Sequence, residues 1–236
     1  TIAGVRATTS DGPLEIRADL VVGADGRHST VREQAGLDVR DLGAPIDVLW
    51  MRLSKRPDDS SITLGRFTAG RIFVTLDRGD YWQCASVIPK GGYDALRARG
   101  LQALRDDIAA VAPDLADRVG ALQSWDDVKL LTVAVDRLRE WYRPGLLCIG
   151  DAAHAMTPNL GQGACQAIED AVVLANSLSA KSNIVAALDL YEKRRRRRAN
   201  TIGSMAHLIG QAVQIENGLL TISRNALIER MPTSTL

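Results

Sequence analysis

The sequence predicts a mixed fold, part α/β and part α+β, on three observations. Around Gly145 to Leu178 an apolar run, Leu146-Leu147-Cys148-Ile149, reads as a buried strand. It ends at Gly150-Asp151 and passes through an irregular stretch with Pro158 and Gly161-Gln162-Gly163. After that, Ala164, Ile168, Ala171, Val172, Ala175 and Leu178 recur at helical spacing. Between residues 40 and 140, short strand candidates alternate with Gly, Asp and Arg turns, which is an α+β pattern. From Ile184 onward the apolar residues return to helical spacing.

In chain order, Ile2 to Thr9 reads as a strand and Asp11-Gly12-Pro13 as a turn. A second strand is expected from Leu14 through Val22. It ends in Gly23-Ala24-Asp25-Gly26-Arg27-His28-Ser29, with a helix from near Ser29 to Ala35 stopped by Gly36. Ile46 to Leu53, Ile62 to Leu64, Arg71 to Leu76 and Tyr81 to Ile88 follow as strands. Tyr93 to Ala112 is a helix broken at Gly100, Pro113 punctuates it, and Val128 to Val135 returns as a strand. The last helical segments carry a stripe of Ile184, Leu188, Tyr191, Ala199, Ile202, Met205, Ala206, Ile209 and Val213, then a second stretch from Leu219 to Arg230.

Strand ends that meet helix starts collect ligands in open α/β sheets. A glycine-rich helix start leaves backbone N–H groups unpaired at the positive end of the helix dipole, which suits negative charge. Read as an ordinary strand–loop–helix unit, the same glycines are turn residues and Asp151 is a cap. That reading does not require the whole pattern.

The pattern Gly150-Asp151-Ala152-Ala153-His154, Pro158, Gly161-Gln162-Gly163, with Glu169-Asp170 on the following helix, resembles the second flavin motif of the class A flavoprotein aromatic hydroxylases, the para-hydroxybenzoate hydroxylase-like family. Gly23, Asp25, Gly26, Ser29 and Arg32 resemble its Asp-Gly motif. The resemblance implies FAD as cofactor and NAD(P)H as reductant. It implies that Asp151 accepts a hydrogen bond from the ribityl chain and that Pro158 packs near the isoalloxazine. The N–H groups around Gly163 and Ala164 would face the pyrimidine end of the flavin, with Gly150, Gly161 and Gln162 shaping the loop. It further places Asp25, Gly26 and Arg32 beside the cofactor. A surface helix arginine is an equal reading of Arg32, and a turn aspartate is the alternative for Asp25. Cys165 stands where many relatives carry Asn.

The implied architecture is the C-terminal part of a Rossmann-like FAD-binding domain, with an inserted antiparallel β-sheet substrate domain and C-terminal helices. Residues 1–40 carry the Asp-Gly motif, 41–140 the substrate-binding sheet, 141–182 the Gly-Asp motif and 183–236 the C-terminal helices. The family's Gly-x-Gly-x-x-Gly fingerprint is not in this sequence. The expectation is therefore a chain that begins inside a larger product or is complemented by an N-terminal segment; a homodimer is the other partner considered. The implied activity is oxygenation of a small aromatic or other electron-rich substrate by O2 through a flavin C4a-hydroperoxide. Epoxidation and antibiotic inactivation are alternatives on similar scaffolds, and a truncated, non-catalytic interaction remnant is the alternative outside enzymes. No catalytic residue is assigned; His154 reads as structural or orienting and His28 as a loop residue.

The bulk numbers leave room for this. At 236 residues with 46% hydrophobic and 24% charged content, the chain is globular and long enough for a sizeable core. A net charge of +1 gives no global field for nucleic acid. The run Lys193 to Arg198 spreads around the whole helix circumference, so it reads as a charged helix stretch and not as a groove-facing stripe. Cys84, Cys148 and Cys165 show no metal or disulfide spacing, no metal is expected, and a reducing cytoplasm is the default. No apolar run reaches membrane-spanning length, so no integral membrane segment is expected. Trp50, Phe67, Phe73, Tyr81 and Trp82 are core or pocket candidates. Arg52, Arg66 and Arg71 are a solvated sheet face or substrate clamps.

Overall fold

The computed structural model describes residues 2–68 and 70–213. The helix expected over Leu219 to Arg230 lies outside them. The described residues form two compact units, 2–43 with 134–208, and 44–133 with 209–213.

The first unit opens with an antiparallel hairpin, β1 (Gly4–Thr9) and β2 (Gly12–Arg17). Its turn is Ser10-Asp11, and Pro13 already sits on β2. A two-stranded ribbon has only edges, so the missing proline N–H is tolerated. The second strand does not run unbroken to Val22. A bend at Asp19 separates β2 from β3 (Val21–Gly23), which joins a different sheet. Helix α1 (Thr30–Gln34) is capped by the Ser29 hydroxyl, which accepts from the Arg32 N–H at 3.0 Å. Gly36, with φ of 60°, ends it as expected. The short strand β4 (Val39–Asp41) follows.

The second unit is an antiparallel sheet covered by helices. Its members are β5 (Ile46–Ser54), β6 (Leu64–Thr68), β7 (Arg71–Asp77), β8 (Tyr81–Pro89), helices α2 (Tyr93–Arg99) and α3 (Leu101–Val111), and β9 (Lys129–Leu131). The strand order is β6-β7-β8-β5-β9. Alternation along β5 buries Leu49, Met51 and Leu53 and leaves Arg52 outside. Those residues meet Phe73, Trp82, Leu96, Leu104 and Ile108 in one core. Gly100, at φ of 89°, separates α2 from α3 as the sequence predicted. Ile62 and Thr63 lie ahead of β6, and the strand expected over Val128 to Val135 is only the three residues of β9. Phe73 and Trp82 are core, and Phe67 is half-exposed. The arginines pair locally: Arg66 with Asp114 at 2.5 Å, Arg71 with Asp107 at 2.9 Å, and Arg52 over the Tyr81 ring.

The chain returns to the first unit through β10 (Asp136–Leu138), which pairs antiparallel with β4, a ladder of three residues the sequence did not reveal. Strands β11 (Tyr142–Arg143) and β12 (Leu146–Cys148) follow, and the sheet order is β11-β12-β3. Then come α4 (Asp151–His154), a 3-10 turn over Pro158–Leu160, α5 (Gly163–Ala180) and α6 (Ile184–Val213). Leu146, Leu147, Cys148, Trp141, Leu174, Leu188 and Tyr191 form the core.

Two features depart from the expected helix faces. In α5 the buried residues are Gln166, Asp170, Leu174 and Ser177, while Ile168 is 65% and Val172 56% exposed. The apolar stripe read from the sequence points outward, and the polar face is turned in because it is fully hydrogen-bonded there. In α6 the basic run is not wholly solvated: Arg195 is 1% exposed. Among the described residues no helix is long and apolar enough to cross a membrane.

Candidate functional site

The site rests on one parallel pairing. Strand β12 lies beside β3 with Cys148 opposite Gly23, so both chains leave the sheet at the same edge. One continues into Gly150-Asp151, the other into Asp25-Gly26-Arg27. A side chain at Gly23 would meet Val31 Cγ1 at 3.0 Å and Cys148 Sγ at 3.2 Å, so glycine lets helix and strand close up. Gly150 has φ of 58° and ψ of −143°, and a Cβ there would lie 3.1 Å from the Ala167 Cβ. That backbone sets Asp151 at the start of α4.

The sequence-predicted residues fall into two groups. Asp151, Pro158, Gly161, Gln162, Gly163 and Ala164 surround the start of α5. Pro158 begins the 3-10 turn, Gly161 closes it at φ of 62°, and α5 starts two residues on. Gln162 makes no side-chain cap and the first turn holds no acidic residue, so the leading N–H groups keep their donor capacity. A Cβ on Gly163 would lie 3.8 Å from Asp151 Oδ1. The carboxylate and the open helix end are therefore neighbours.

Asp25, Gly26 and Arg32 form the second group, and the side chains of Asp25 and Arg32 are engaged within the chain. The Asp25 carboxylate accepts from the Ser29 hydroxyl at 2.5 Å and the Val31 N–H at 3.0 Å. Burial alone would raise its pKa, but these bonds hold it below the ordinary carboxylate value. Arg32 is not a surface residue: it is 9% exposed and grips Asp136 in a fork, at 3.0 and 2.9 Å. Its remaining donors reach the carbonyls of Ala152 and Arg27 at 3.3 and 2.5 Å. Arg32 thus ties the Asp-Gly loop, β10 and α4 together. Arg27, which the sequence reading passed over, sends its guanidinium 3.4 Å from Asp151 Oδ2 and links the two motifs directly. His28 is exposed.

Beneath the strand end lies a buried polar hub. Asp170, fully buried, accepts from the Gly150 N–H at 2.8 Å and from Arg195 Nε at 2.7 Å, with His154 Nε2 at 2.7 Å. Burial would raise the Asp170 carboxyl, but the His154 bond and charge, Arg195 and Gly150 outweigh it and hold the carboxyl below its ordinary value. His154 is stacked against Trp141, ring centroids 4.8 Å apart, so it is built into the frame. Arg195 also bonds Glu169 at 2.5 Å and both the carbonyl and the side-chain oxygen of Gln166, at 3.1 and 2.8 Å. Glu169-Asp170 was visible as part of the motif; Arg195 was hidden among identical neighbours.

This donor set fits FAD. A partly exposed carboxylate suits a ribityl hydroxyl, and an uncapped helix start suits the electron-rich edge of a flavin. Glycines at 161 and 163 leave room for a flat ring.

The comparisons agree. The profile of the FAD binding domain family matches residues 2–206. A 6-methylpretetramide 4-monooxygenase of Streptomyces rimosus is 39% identical over 193 residues, covering 79% of this chain and 46% of the relative. An aurachin C monooxygenase/isomerase of Stigmatella aurantiaca is 34% identical over 239 residues, covering 97% of this chain and 60% of the relative. Pseudomonas aeruginosa PqsL in complex with 2-aminobenzoylacetate superimposes with a TM-score of 0.77 at 25% identity, covering 96% of this chain and 62% of that one. The chain thus spans about half to three-fifths the length of these proteins. With the two motifs on one sheet edge and the profile matched over residues 2–206, the chain belongs to the FAD binding domain family, in its class A aromatic hydroxylase branch.

Proposed function

We propose that the chain is the part of an FAD- and NAD(P)H-dependent monooxygenase that holds the isoalloxazine and the substrate, acting on a small aromatic or other electron-rich molecule in the cytoplasm. The observation that carries this reading is the placement of Asp151 beside the uncapped start of α5. Both relatives are monooxygenases, and PqsL binds 2-aminobenzoylacetate, which supports it.

When bound, FAD supplies the redox chemistry, taking electrons from the reductant and passing one oxygen atom of O2 to the substrate. Asp151 would accept a hydrogen bond from the ribityl chain, and Arg27, 3.4 Å away, aims that carboxylate. The N–H groups of Gly163 and Ala164 would face the pyrimidine end of a bound flavin. Fixed dipoles there would favour negative charge on the ring without reorganising. Pro158 and Gly161 shape the wall of the ring pocket, with Gln162 leading into the helix. Asp25, Gly26 and Arg32 serve the site by building the loop that carries Arg27. The protein's part in this reading is to orient the cofactor and exclude water.

The test is an absorbance and flavin-fluorescence titration with FAD. It uses this chain alone and joined to a segment carrying a Gly-x-Gly-x-x-Gly unit, followed by NAD(P)H oxidation over phenolic substrates. Saturable binding in at least one form, with substrate-stimulated NAD(P)H consumption, supports the proposal. No binding in either form removes it and leaves the interaction remnant as the better account.

A further inference from the structure

We propose that Arg195 is a positioning residue for the flavin site, fixing the distance between the two groups that hold the cofactor. The proposal rests on the flavin reading above. Arg195 lies on α6, away from both motifs in sequence, and is 1% exposed. One arm of its guanidinium runs through Asp170: Nε donates to Oδ1 at 2.7 Å, and Oδ2 takes the Gly150 N–H at 2.8 Å. Gly150 is the residue before Asp151. The other arm ends on Gln166, whose backbone carbonyl and side-chain oxygen accept from Nη2 at 3.1 and 2.8 Å. Gln166 is fully buried in the first turn of α5, three residues after Gly163. One rigid, planar group therefore clamps the backbone beside the ribityl acceptor and the helix end beside the pyrimidine edge.

A buried arginine that merely joins α5 to α6 would serve equally well anywhere along the two helices. This one sits at the single level where both arms reach the cofactor-holding backbone. Glu169 completes the arrangement by accepting from the third nitrogen at 2.5 Å, and Arg198 bonds the same carboxylate, so two guanidiniums face two carboxylates. Lysine would keep the charge but not the fork, since one ammonium cannot span acceptors on three residues in fixed directions.

The measurement is the FAD dissociation constant and the reduction potential of the bound flavin, in the intact flavin-binding protein. Arg195→Lys and Gln166→Met are compared with the exposed control Arg194→Gln. The expected result is at least a tenfold weaker FAD affinity in both site variants and a lower potential for the flavin that remains bound. A slackened α5 start stabilises the reduced ring less, and in Arg195→Lys the charge is unchanged. Arg194→Gln should behave as the parent protein. If Arg195→Lys lowers only the melting temperature of the flavin-free protein, leaving affinity and potential untouched, the residue is a plain structural tie and the proposal fails. Should Arg195→Lys not fold, Gln166→Met decides alone, and unchanged affinity and potential there overturn it. If the unsubstituted protein binds no FAD, the flavin reading itself falls, and this inference falls with it.

Discussion

Gly23 and Cys148 sit opposite each other in a parallel ladder, and this pairing brings two motifs that are distant in sequence to a common edge. Asp25-Gly26-Arg27 leaves one strand and Gly150-Asp151 the other. The Arg27–Asp151 contact at 3.4 Å closes the gap between them.

Asp151→Ala should weaken FAD binding roughly 10- to 100-fold, the value of a hydrogen bond to a charged acceptor. The side chain is 31% exposed in the absence of ligand, so the melting temperature should change little. Fluorescence titration beside a thermal melt reads both. A large loss of stability with unchanged affinity would show Asp151 to be a helix cap only.

Gly163→Ala separates binding from folding. A Cβ there meets only Asp151 Oδ1 at 3.8 Å, an ordinary contact, and alanine favours a helix by roughly 0.5–1 kcal/mol over glycine. The variant should be as stable as the parent or slightly more so, yet bind FAD less tightly because the methyl fills space meant for the ring. Equal affinity would move the flavin away from this helix end.

Arg32→Ala should destabilise by about 3–5 kcal/mol, because it leaves Asp136 buried without its partner. Asp136→Asn in the same background should recover part of the loss. Urea melts of the double-mutant cycle give the coupling; a small, additive effect would contradict the buried fork.

Acid should loosen the hub over a defined range. The Arg198 bonds, with the Arg195 charge, hold Glu169 down to about 2, against an ordinary value of ~4.3. Asp170 is also held low, by His154, Arg195 and Gly150 against the cost of burial. Both carboxyls are depressed in the folded state, so their stabilisation is complete above the unfolded values. It is lost as pH falls from ~4.3 toward 2. Glu169→Gln should lower stability near neutrality, flatten the stability–pH curve in that window and meet the parent protein's curve as pH approaches 2; urea melts across that range that keep the parent's slope would contradict it.

Thiol labelling gives a probe of the helix start. Burial pushes the Cys84 thiol up to about 12 and Cys148 up to about 11, whereas Cys165 is exposed in the first turn of α5. One thiol should react readily in the folded protein, and FAD should slow it. Labelling of Cys165 indifferent to FAD would argue against occupancy beside that turn.

Much of this site was legible because its signals are local. A strand, a Gly-Asp end, a proline turn and a Gly-x-Gly helix start are contiguous, and each residue type has its own backbone reason. The long-range ties were not legible. The β4–β10 ladder is three residues long and joins distant segments, too short for alternation to register. Helical periodicity located α5 but misjudged its face, because the stripe of Ile168 and Val172 says which residues resemble one another, not which side turns inward. Arg32 read equally as a surface residue because nothing near it in sequence announces Asp136.

The buried arginine of α6 also bears on how that helix keeps its register. Five arginines stand in a row from Arg194 to Arg198, so a slip of one residue in either direction would still deliver a guanidinium to the slot that Arg195 fills. The polybasic stretch is thus indifferent to alignment. Alignment is written instead by its uncharged neighbours, Leu188, Tyr191 and Ala199, all at most 1% exposed, each of which has only one place to go. Insertions in the run are errors of shape more than of charge, and they should be felt first where Tyr191 packs against Trp141.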